Sequence, residues 1–529
     1  MLFTSYEFLL FLAIVFLLYY IIPKKLQWSF LLFASYLFYF LANPYYLLYI
    51  MATTVIVYLT ARVIERKKES FKDWYDSQKK NLDKKEKKLL KEREKKKEFH
   101  LLLFGLLLNL GILAVVKYTN FAIANINSLF QLFGKDRLSF IDIMVPMGIS
   151  FYTFQALGYL IDIYYGKYKT EKNPFRFALF VSFFPQLVQG PISRFNDLSK
   201  SLFERHIAEW KTISFGLERI LWGFFKKLVI ADRILPAINL IIHNTDIYRG
   251  GFVLIGMLFY ALELYADFTG GIDITIGTAQ VLGIHVTENF KRPYFSKNIK
   301  EYWKRWHITM GTWFTDYVFY PISVCQPMLK INKFSRKHFG NIIGKRVSVY
   351  LSSFVVWFTT GIWHGASWNF IVWGLGNFVV IMISQELEPL YYRFHKRFHV
   401  SHKLYYRIFQ IIRTILLMSC LRMFDCYRDV PLTFQMFGSM FTDFRISDFS
   451  KESFLSLGLT GVDYLILSMG LFILVLVSLL QRKGSVRKQI AAMRAPCRFA
   501  VWYGLFLTVL IFGAYGIGYD ASQFIYNQF

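Results

Sequence analysis

The sequence predicts an all-α, polytopic membrane protein, and three observations support that prediction. Hydrophobic residues make up 55% of the 529 residues, and aromatic residues make up 19%. Many uninterrupted apolar runs approach the roughly 20 residues that a helix needs to cross a bilayer. The short alternating segments of a transmembrane β-barrel are absent from the sequence, so we expect every spanning element to be helical.

The predicted spans begin at the N-terminal end. We interpret residues 1–22 as a retained first span and not as a signal peptide, because the segment carries Glu7 in place of a basic start. A second span is predicted over 28–41. The turn at 43–44 separates it from a third span that ends near Ala61.

The segment 65–98 is the most charged part of the chain, with 15 Lys/Arg and 9 Asp/Glu. We interpret it as a solvated, helical insertion of mixed charge, and docking of a partner or of anionic lipid is the alternative. The positive-inside rule places this segment and Lys24–Lys25 in the cytoplasm. The N-terminus is then predicted to be extracytoplasmic.

Apolar and basic segments alternate along the rest of the chain, and we expect about 11–12 spans in a single integral-membrane domain over 1–529. The later apolar segments are 101–116, 121–133, 141–165, 252–282, 347–362, 369–383, 415–424, 464–480 and 499–515. The basic segments predicted to be cytoplasmic are 330–346, 391–413 and 482–498. The segment 430–461 is predicted to be an external loop, and 430–529 is the least diagnostic part of the chain.

Two apolar stretches differ from simple spans. The stretch 175–192 is broken at Pro185, which predicts a re-entrant element, since irregular backbone at membrane depth must be enclosed by protein or line a cavity. The stretch 213–230 contains Lys226 and Lys227. We interpret it as an interfacial helix whose long basic side chains reach toward water.

Two histidines stand out in the segment 288–378. His364 lies between two apolar runs, and an ionisable side chain at membrane depth indicates function by default. Imidazole also titrates in the range that suits proton transfer near neutral pH. The small residues 365–367 leave room beside the ring, and Trp363 and Trp368 are placed to wall it. On these observations alone, a structural histidine at a helix end remains the alternative.

Several motifs occur in a characteristic order. They are FPQLVQGPI at 184–192, YADFTGGID at 265–273, ENFKRPY at 288–294, EYWKRWHIT at 301–309 and GIWHGASWNFIVWG at 361–374. This set resembles the membrane-bound O-acyltransferase superfamily, and most closely its bacterial branch with the alginate O-acetylases and the teichoic acid D-alanyltransferases. The resemblance implies a helical fold around a central tunnel. It also implies that His364 is catalytic and that His307 is a second functional histidine.

Two further details bear on the branch. The run LRMFDCYRD at 421–429 is similar to an aromatic–arginine motif of the alginate-acetylase branch. Asn377 stands where that branch often has a histidine, so a supporting role for that position is uncertain from sequence.

The resemblance implies transfer of acetyl from cytoplasmic acetyl-CoA to a hydroxyl of an extracytoplasmic polysaccharide or other cell-envelope acceptor. His364 would act as general base, and His307 would polarise the thioester carbonyl or hold the arm of the donor. An extracytoplasmic SGNH-type partner would complete the transfer. The substrate-binding candidates are three neighbours of the histidines, Trp306, Trp363 and Asn369, and three cations near His307 for the donor phosphates, Lys304, Arg305 and Lys291. The alternative for the three cations is that they are ordinary interfacial residues of the cytoplasmic side.

Other functions remain as alternatives. The first is D-alanyl transfer from a carrier protein to teichoic acid. The second is a transporter or flippase, which the sequence disfavours because it shows no two halves with paired broken helices. A net charge of +27 would suggest nucleic acid for a soluble protein, but here the basic residues lie in predicted cytoplasmic loops that face anionic lipid.

No metal and no cofactor are expected. The four cysteines show no CxxC spacing, and the two histidines lack a third ligand nearby.

Overall fold

The structure, a computed structural model, describes residues 5–515. Every regular element in that range is helical, which confirms the all-α prediction. The described residues divide into two compact units. One comprises 6–213 and 279–287, and the other comprises 214–278 and the described residues from 288 onward. The single domain expected from sequence stays a prediction.

The helices of the first unit are α1 Tyr6–Ile21, α2 Gln27–Ala42, α3 Tyr46–Gln78, α4 Lys84–Leu132, α5 Ile149–Tyr164, α6 Pro174–Ser182, α7 Phe184–Leu187 and α8 Phe195–Leu202. The next helices are α9 Trp210–Phe224, α10 Asp232–His243, α11 Gly251–Val281, α12 Ile299–Trp303, α13 Ile308–Phe314, α14 Tyr320–Val324, α15 Gln326–His364 and α16 Trp368–Glu386. The chain continues with α17 Glu388–Phe398, α18 Leu404–Tyr427, α19 Val430–Thr442, α20 Lys451–Leu455, α21 Gly461–Leu480, α22 Val486–Ala491 and α23 Ala495–Phe512. Two π-helical segments, Phe225–Ala231 and Thr315–Phe319, follow α9 and α13.

Seven helices among the described residues are long and apolar enough to cross a membrane: α3, α4, α11, α16, α18, α21 and α23. This number is smaller than the 11 to 12 spans expected from sequence. The predicted spans 101–116 and 121–133 form one continuous helix, α4. The predicted spans at α1, α2 and α5 form helices of 16 residues each, which is shorter than a typical span.

The charged segment 65–98 is helical, as predicted, but it forms two helices. Its first part continues α3, and its second part begins α4. Asp83 caps α4: the Glu86 N–H donates to the Asp83 carboxylate at 2.6 Å, and the Asp83 N–H donates back to Glu86 at 2.9 Å. This reciprocal capping box stabilises the start of the helix just after the turn.

The stretch predicted to be re-entrant forms two short helices, α6 and α7, with a break at Phe183. Every residue from 177 to 193 is buried. The Gln186 amide donates to the Pro191 carbonyl at 2.9 Å and to Ser193 Oγ at 2.6 Å. These bonds hold irregular backbone inside the protein, where water cannot replace them.

The snorkelling interpretation of Lys226 and Lys227 is wrong. Both side chains are at most 4% exposed. Lys226 Nζ lies 2.6 Å from Asp273, and Lys227 Nζ lies 2.7 Å from Asp267 and 2.8 Å from Asp232. The lysines point inward because buried carboxylates are there to pair with them, which lowers the cost of burying charge.

A close approach between two helices makes this pairing possible. A Cβ on Gly223 of α9 would lie 2.6 Å from the carbonyl oxygen of Gly270 in α11, so no larger residue fits without a shift. Glycines allow helix backbones to approach this closely in membrane proteins. The carboxylates of α11 therefore lie within reach of the lysines that follow α9.

Two segments predicted to be loops are helical. The basic segment 330–346 lies within α15, which kinks at Gly340 (φ 76°). The segment 430–461 contains α19 and α20. Asp429 caps α19, because its side chain accepts a hydrogen bond from the Leu432 N–H at 2.7 Å. Such a capping residue is a local signal for a helix, and the loop prediction did not take it into account.

Candidate active site

His364 is the last residue of α15, at the tip of a hairpin that α15 forms with α16. Glycines let the two helices touch. A Cβ on Gly361 would lie 2.6 Å from the Phe370 carbonyl oxygen, and one on Gly374 would lie 2.5 Å from the Trp357 carbonyl oxygen. The glycine spacing of GIWHG…WG thus fixes the hairpin that positions the histidine.

Aromatic side chains surround the His364 ring, which is 3% exposed. Its centroid lies 4.5 Å from Trp373, 5.1 Å from Trp363 and 6.4 Å from Phe370. A Cβ on Gly365 would lie 2.2 Å from the Phe370 ring. The small residue therefore accommodates Phe370, whereas we had expected it to leave open space beside the histidine.

His307 precedes α13 and adopts a left-handed conformation (φ 46°, ψ 53°). Such a conformation in a residue other than glycine is uncommon and costs energy, and it is enriched at functional sites. Asn289 holds the turn: its Oδ1 accepts from the Thr309 N–H at 3.0 Å, and its carbonyl accepts from the Ile308 N–H at 2.9 Å. The His307 side chain is fully buried, at 0% exposure.

The same amide orients the His307 ring, whose Nδ1 lies 3.3 Å from Asn289 Oδ1. An amide oxygen only accepts, so this contact assigns the proton to Nδ1 and leaves Nε2 as the acceptor nitrogen of the neutral ring. His307 lies outside the seven candidate spans. Burial, assisted by the nearby charge of Arg422, lowers the pKa of His307 to about 3, so the ring is neutral.

Trp363 brings the two histidines together. Its ring lies 5.9 Å from His307 and 5.1 Å from His364, in an edge-on arrangement to both. His307 and His364 lie far apart in the sequence. In the structure they share one indole, so they form a single aromatic-walled site.

Arg422 belongs to this site and was not among the candidate residues predicted from sequence. Its guanidinium lies 4.8 Å from Trp373, 5.3 Å from Trp306 and 5.9 Å from Trp303. It also pairs with Asp425 at 2.7 Å, and both side chains are at most 4% exposed. The only sequence signal for it was its place in LRMFDCYRD at 421–429. The arginine supplies a buried positive charge one indole away from His364.

Two buried asparagines connect the helices around the site. Asn369 donates to the Phe424 carbonyl at 3.0 Å, which ties α16 to α18. Asn377 accepts from the Trp303 indole N–H at 3.2 Å and donates to the Trp373 carbonyl at 2.9 Å. The asparagine at the position where a histidine was expected therefore orients Trp303, which contacts Arg422.

The predicted phosphate-binding cations have different surroundings. Lys304 is exposed, and Arg305 pairs with Glu301 at 2.5 Å. Lys291 is exposed and lines a cavity of about 1100 Å³. Trp306 is buried at 1% exposure beneath Arg422. The assignment of these residues to substrate binding stays a prediction.

The cavity lies between α9, α11, α21 and α23 and reaches the segment before His307. Its polar lining combines six cations and three carboxylates: Arg219, Lys226, Lys291, Arg292, Arg482, Arg487, Glu218, Asp273 and Glu288. Its lining includes Phe290 and Ile308, which directly follow Asn289 and His307 in the sequence. Between residues 5 and 515, no group of three His, Cys, Asp or Glu side chains is placed to hold a metal.

Comparison with known proteins identifies the family. Residues 170–424 match the model of the membrane-bound O-acyltransferase family, MBOAT. The chain belongs to the membrane-bound O-acyltransferase family. The MBOAT match runs from just before α6 into α18 and includes both histidines and Arg422, whereas α19–α23 lie beyond it.

Curated relatives of this chain are named for O-acetylation of alginate, for O-acetyl transfer to peptidoglycan and for D-alanyl transfer to teichoic acid. The "Probable alginate O-acetylase AlgI" of Azotobacter vinelandii is 30% identical over 358 residues, which are 67% of this chain and 66% of the relative. The peptidoglycan O-acetyltransferase of Helicobacter pylori is 29% identical over 56% of this chain and 57% of its own length. The teichoic acid D-alanyltransferase of Bacillus subtilis is 30% identical over 44% and 58%. The matches thus span less than two thirds of each relative.

Proposed function

We propose that this protein transfers an acetyl group from acetyl-CoA to a hydroxyl group of a cell-envelope or extracellular polysaccharide. One observation carries the proposal: two buried histidines of an MBOAT chain contact the same indole, Trp363. Two relatives named for O-acetylation, of alginate and of peptidoglycan, favour acetyl as the acyl group. The acceptor then belongs to the class of hydroxyl-bearing envelope polymers.

In the proposed reaction, His364 takes the proton of the acceptor hydroxyl as its oxygen attacks the thioester carbonyl. The new carbon–oxygen bond forms, the carbon–sulfur bond breaks, and His364 returns the proton to the departing thiolate. A general base of this kind contributes roughly 10²–10⁴-fold in rate. No metal or cofactor enters this sequence, since the thioester already carries an activated acyl group.

His307 has two roles open to it from sequence, and its tautomer bears on the choice. Polarising the thioester carbonyl needs a proton on Nε2, whereas the contact with Asn289 assigns the proton to Nδ1. The unprotonated Nε2 can accept a hydrogen bond from an amide N–H group in the arm of the thioester donor. We therefore propose that His307 holds the donor arm, next to the base that acts on the acceptor.

The donor can be tested directly with purified protein in lipid nanodiscs, acetyl-CoA and a mixture of envelope polysaccharides. We expect release of free CoA that depends on the acceptor, followed with a thiol reagent, and incorporation of labelled acetyl into the polymer as an ester.

The relative named as a teichoic acid D-alanyltransferase keeps a second donor open. Transfer from an acylated carrier protein, with none from acetyl-CoA, would replace the first proposal by the second. If neither donor gives covalent transfer, the result would favour the transporter hypothesis.

We also propose that an extracytoplasmic SGNH-type protein accepts the acetyl group on its way to the polymer. The resemblance to the alginate-acetylase branch supports this step. Copurification of such a protein, and an increase in both CoA release and polymer labelling when it is added to the purified enzyme, are the results expected.

The proposed orientation has the N-terminus outside and the charged segment 65–98 in the cytoplasm, as the distribution of basic residues supports. Ser70 and Ser77 are exposed in this segment, and Ser447 is exposed in the segment expected outside. In a background with Cys325 and Cys497 replaced by serine, an impermeant thiol reagent applied to intact cells is expected to label Ser447→Cys. Ser70→Cys and Ser77→Cys should label only after lysis. The reverse pattern would invert the proposed orientation.

A further inference from the structure

The cavity beside His307 carries more positive charge than its own carboxylates balance. Of its three lining carboxylates, Glu288 accepts two hydrogen bonds from Arg219, at 2.5 and 2.6 Å. Asp273 accepts from Arg219 at 2.8 Å and from Lys226 at 2.6 Å. These two acids are therefore already committed to two of the six lining cations.

Three other cations lining the cavity, Lys291, Arg292 and Arg482, form no ion pair within the described part of the chain. The Arg292 guanidinium instead donates to the Ser478 carbonyl at 3.1 Å. Burial and the like charges of Arg305 and Arg482 lower the pKa of Arg292. Arg292 also has a left-handed backbone (φ 49°). Crowded cations repel one another, and a bound anion would relieve that repulsion.

The cavity also has apolar residues in its lining, two of them beside His307. Ile308 lines it and directly follows His307, and Phe290 lines it with its ring 6.4 Å from the His307 ring. Apolar residues of α21 and α23 complete the wall: Ile473, Leu474, Val477, Val501 and Leu505. The cavity thus offers both cationic and apolar contacts, which suits a ligand with a polyanionic head and a less polar arm.

The cationic part of the lining comes partly from residues outside the family match, which stops at residue 424. Arg482 follows α21, and Arg487 lies in α22. Arg487 donates to the Phe215 carbonyl at 2.5 Å, which anchors this connection against α9. Two of the six lining cations therefore come from a segment that the family model does not cover.

We propose that this cavity binds the phosphate-bearing half of the thioester donor, and that Arg482 and Arg487 of the α21–α23 connection recognise its phosphates. The inference rests on the proposed acyl transfer for the identity of the ligand. Guanidinium groups are well suited to phosphate, because their N–H donors match its oxygens in pairs. The less polar arm then runs along α21 toward Ile308, and its reactive end approaches the two histidines.

The test compares three donors with the same acetyl-pantetheine arm: acetyl-CoA, its analogue without the 3′-phosphate, and acetyl-pantetheine, which lacks all the phosphates together with the adenosine. Arg482→Gln and Arg487→Gln are each expected to raise the KM for acetyl-CoA about tenfold, as loss of one charged hydrogen bond predicts. The kcat should change little, because phosphate contacts are equal in the ground and transition states. The KM for acetyl-pantetheine should not change. Lys483→Gln is the matched control, since Lys483 is exposed in the same turn but does not line the cavity.

Two outcomes overturn the inference. One is an unchanged KM for acetyl-CoA in the Arg482 and Arg487 variants. The other is a larger effect from Lys304→Gln than from Arg482→Gln, which would move the phosphate site to the run before His307. An anionic phospholipid headgroup has similar chemistry. If lipid is the true ligand, Arg482→Gln will abolish stabilisation by phosphatidylglycerol over phosphatidylcholine in nanodiscs and leave the donor KM unchanged.

Calorimetry with unacetylated CoA separates this inference from the proposed function. If Arg482→Gln weakens the binding of CoA but the wild-type protein transfers nothing from acetyl-CoA, the phosphate site is supported and the proposed reaction is refuted. If the protein transfers acetyl from acetyl-CoA but Arg482→Gln leaves its affinity for CoA unchanged, the proposed reaction is supported and the phosphate site is refuted.

Discussion

Alanine in place of His364 is expected to lower acyl transfer by at least roughly 10²–10⁴-fold, while the chain still inserts and folds. The ring is buried among Trp363, Trp373 and Phe370, where little else could take a proton from the acceptor. Because the loss lies in proton transfer, kcat should fall and CoA binding should persist. The measurement is CoA release by purified protein, with CoA affinity followed in parallel by calorimetry.

Two further variants make this result specific. His338→Ala removes an exposed histidine from the same helix, α15, and should retain activity. His364→Gln nearly keeps the volume and hydrogen bonding of the ring but lacks a base, so it should be as inactive as the alanine variant. Activity of His364→Ala within about threefold of wild type would exclude His364 as the base.

The second large effect is expected on stability, at Arg422. Replacing Arg422 by leucine leaves the Asp425 carboxylate buried without its partner, at 2% exposure. Breaking a buried ion pair from one side costs about 3–5 kcal/mol, because a charge remains in a poorly polar interior. The three indoles that pack on the guanidinium also lose their contacts. The apparent Tm in detergent should therefore drop markedly.

The double variant Arg422→Leu/Asp425→Leu distinguishes the charge from the packing. Replacing both members of a buried pair by apolar residues is often neutral, so most of the lost stability should return. Acyl transfer should be low in both the single and the double variant, because both lack the positive charge near the histidines. If the double variant has as low an apparent Tm as the single variant, the packing of Arg422 against the tryptophans stabilises this region more than the ion pair does. If it regains full activity, Arg422 has no part in the reaction.

Local patterns were enough to predict much of the architecture. Apolar runs predicted helices, and the proline in FPQLVQGPI predicted the irregular α6–α7 segment. These features depend on neighbours in sequence, so composition and spacing report them well. Helix ends were less predictable, because capping by Asp429 turned part of an expected loop into α19.

The interior charges show where local patterns fail. Lys226 looked like a snorkelling residue because its neighbours in sequence are apolar. Its partner, Asp273, lies on another helix, and the pairing depends on the close contact of Gly223 with Gly270. A pattern read along one helix does not reveal which face meets a carboxylate from the next.

For this protein, the sequence by itself determined the helical membrane architecture, the family resemblance and the two histidines. Only the tertiary structure decided that His307 and His364 meet at Trp363, and that Arg422 lies behind them among three indoles. It also decided that Arg482 and Arg487 share a cavity with Lys291. The physical reason is that side-chain burial and helix periodicity are encoded locally, whereas the site forms from segments brought together by helix packing, which no single stretch of sequence specifies.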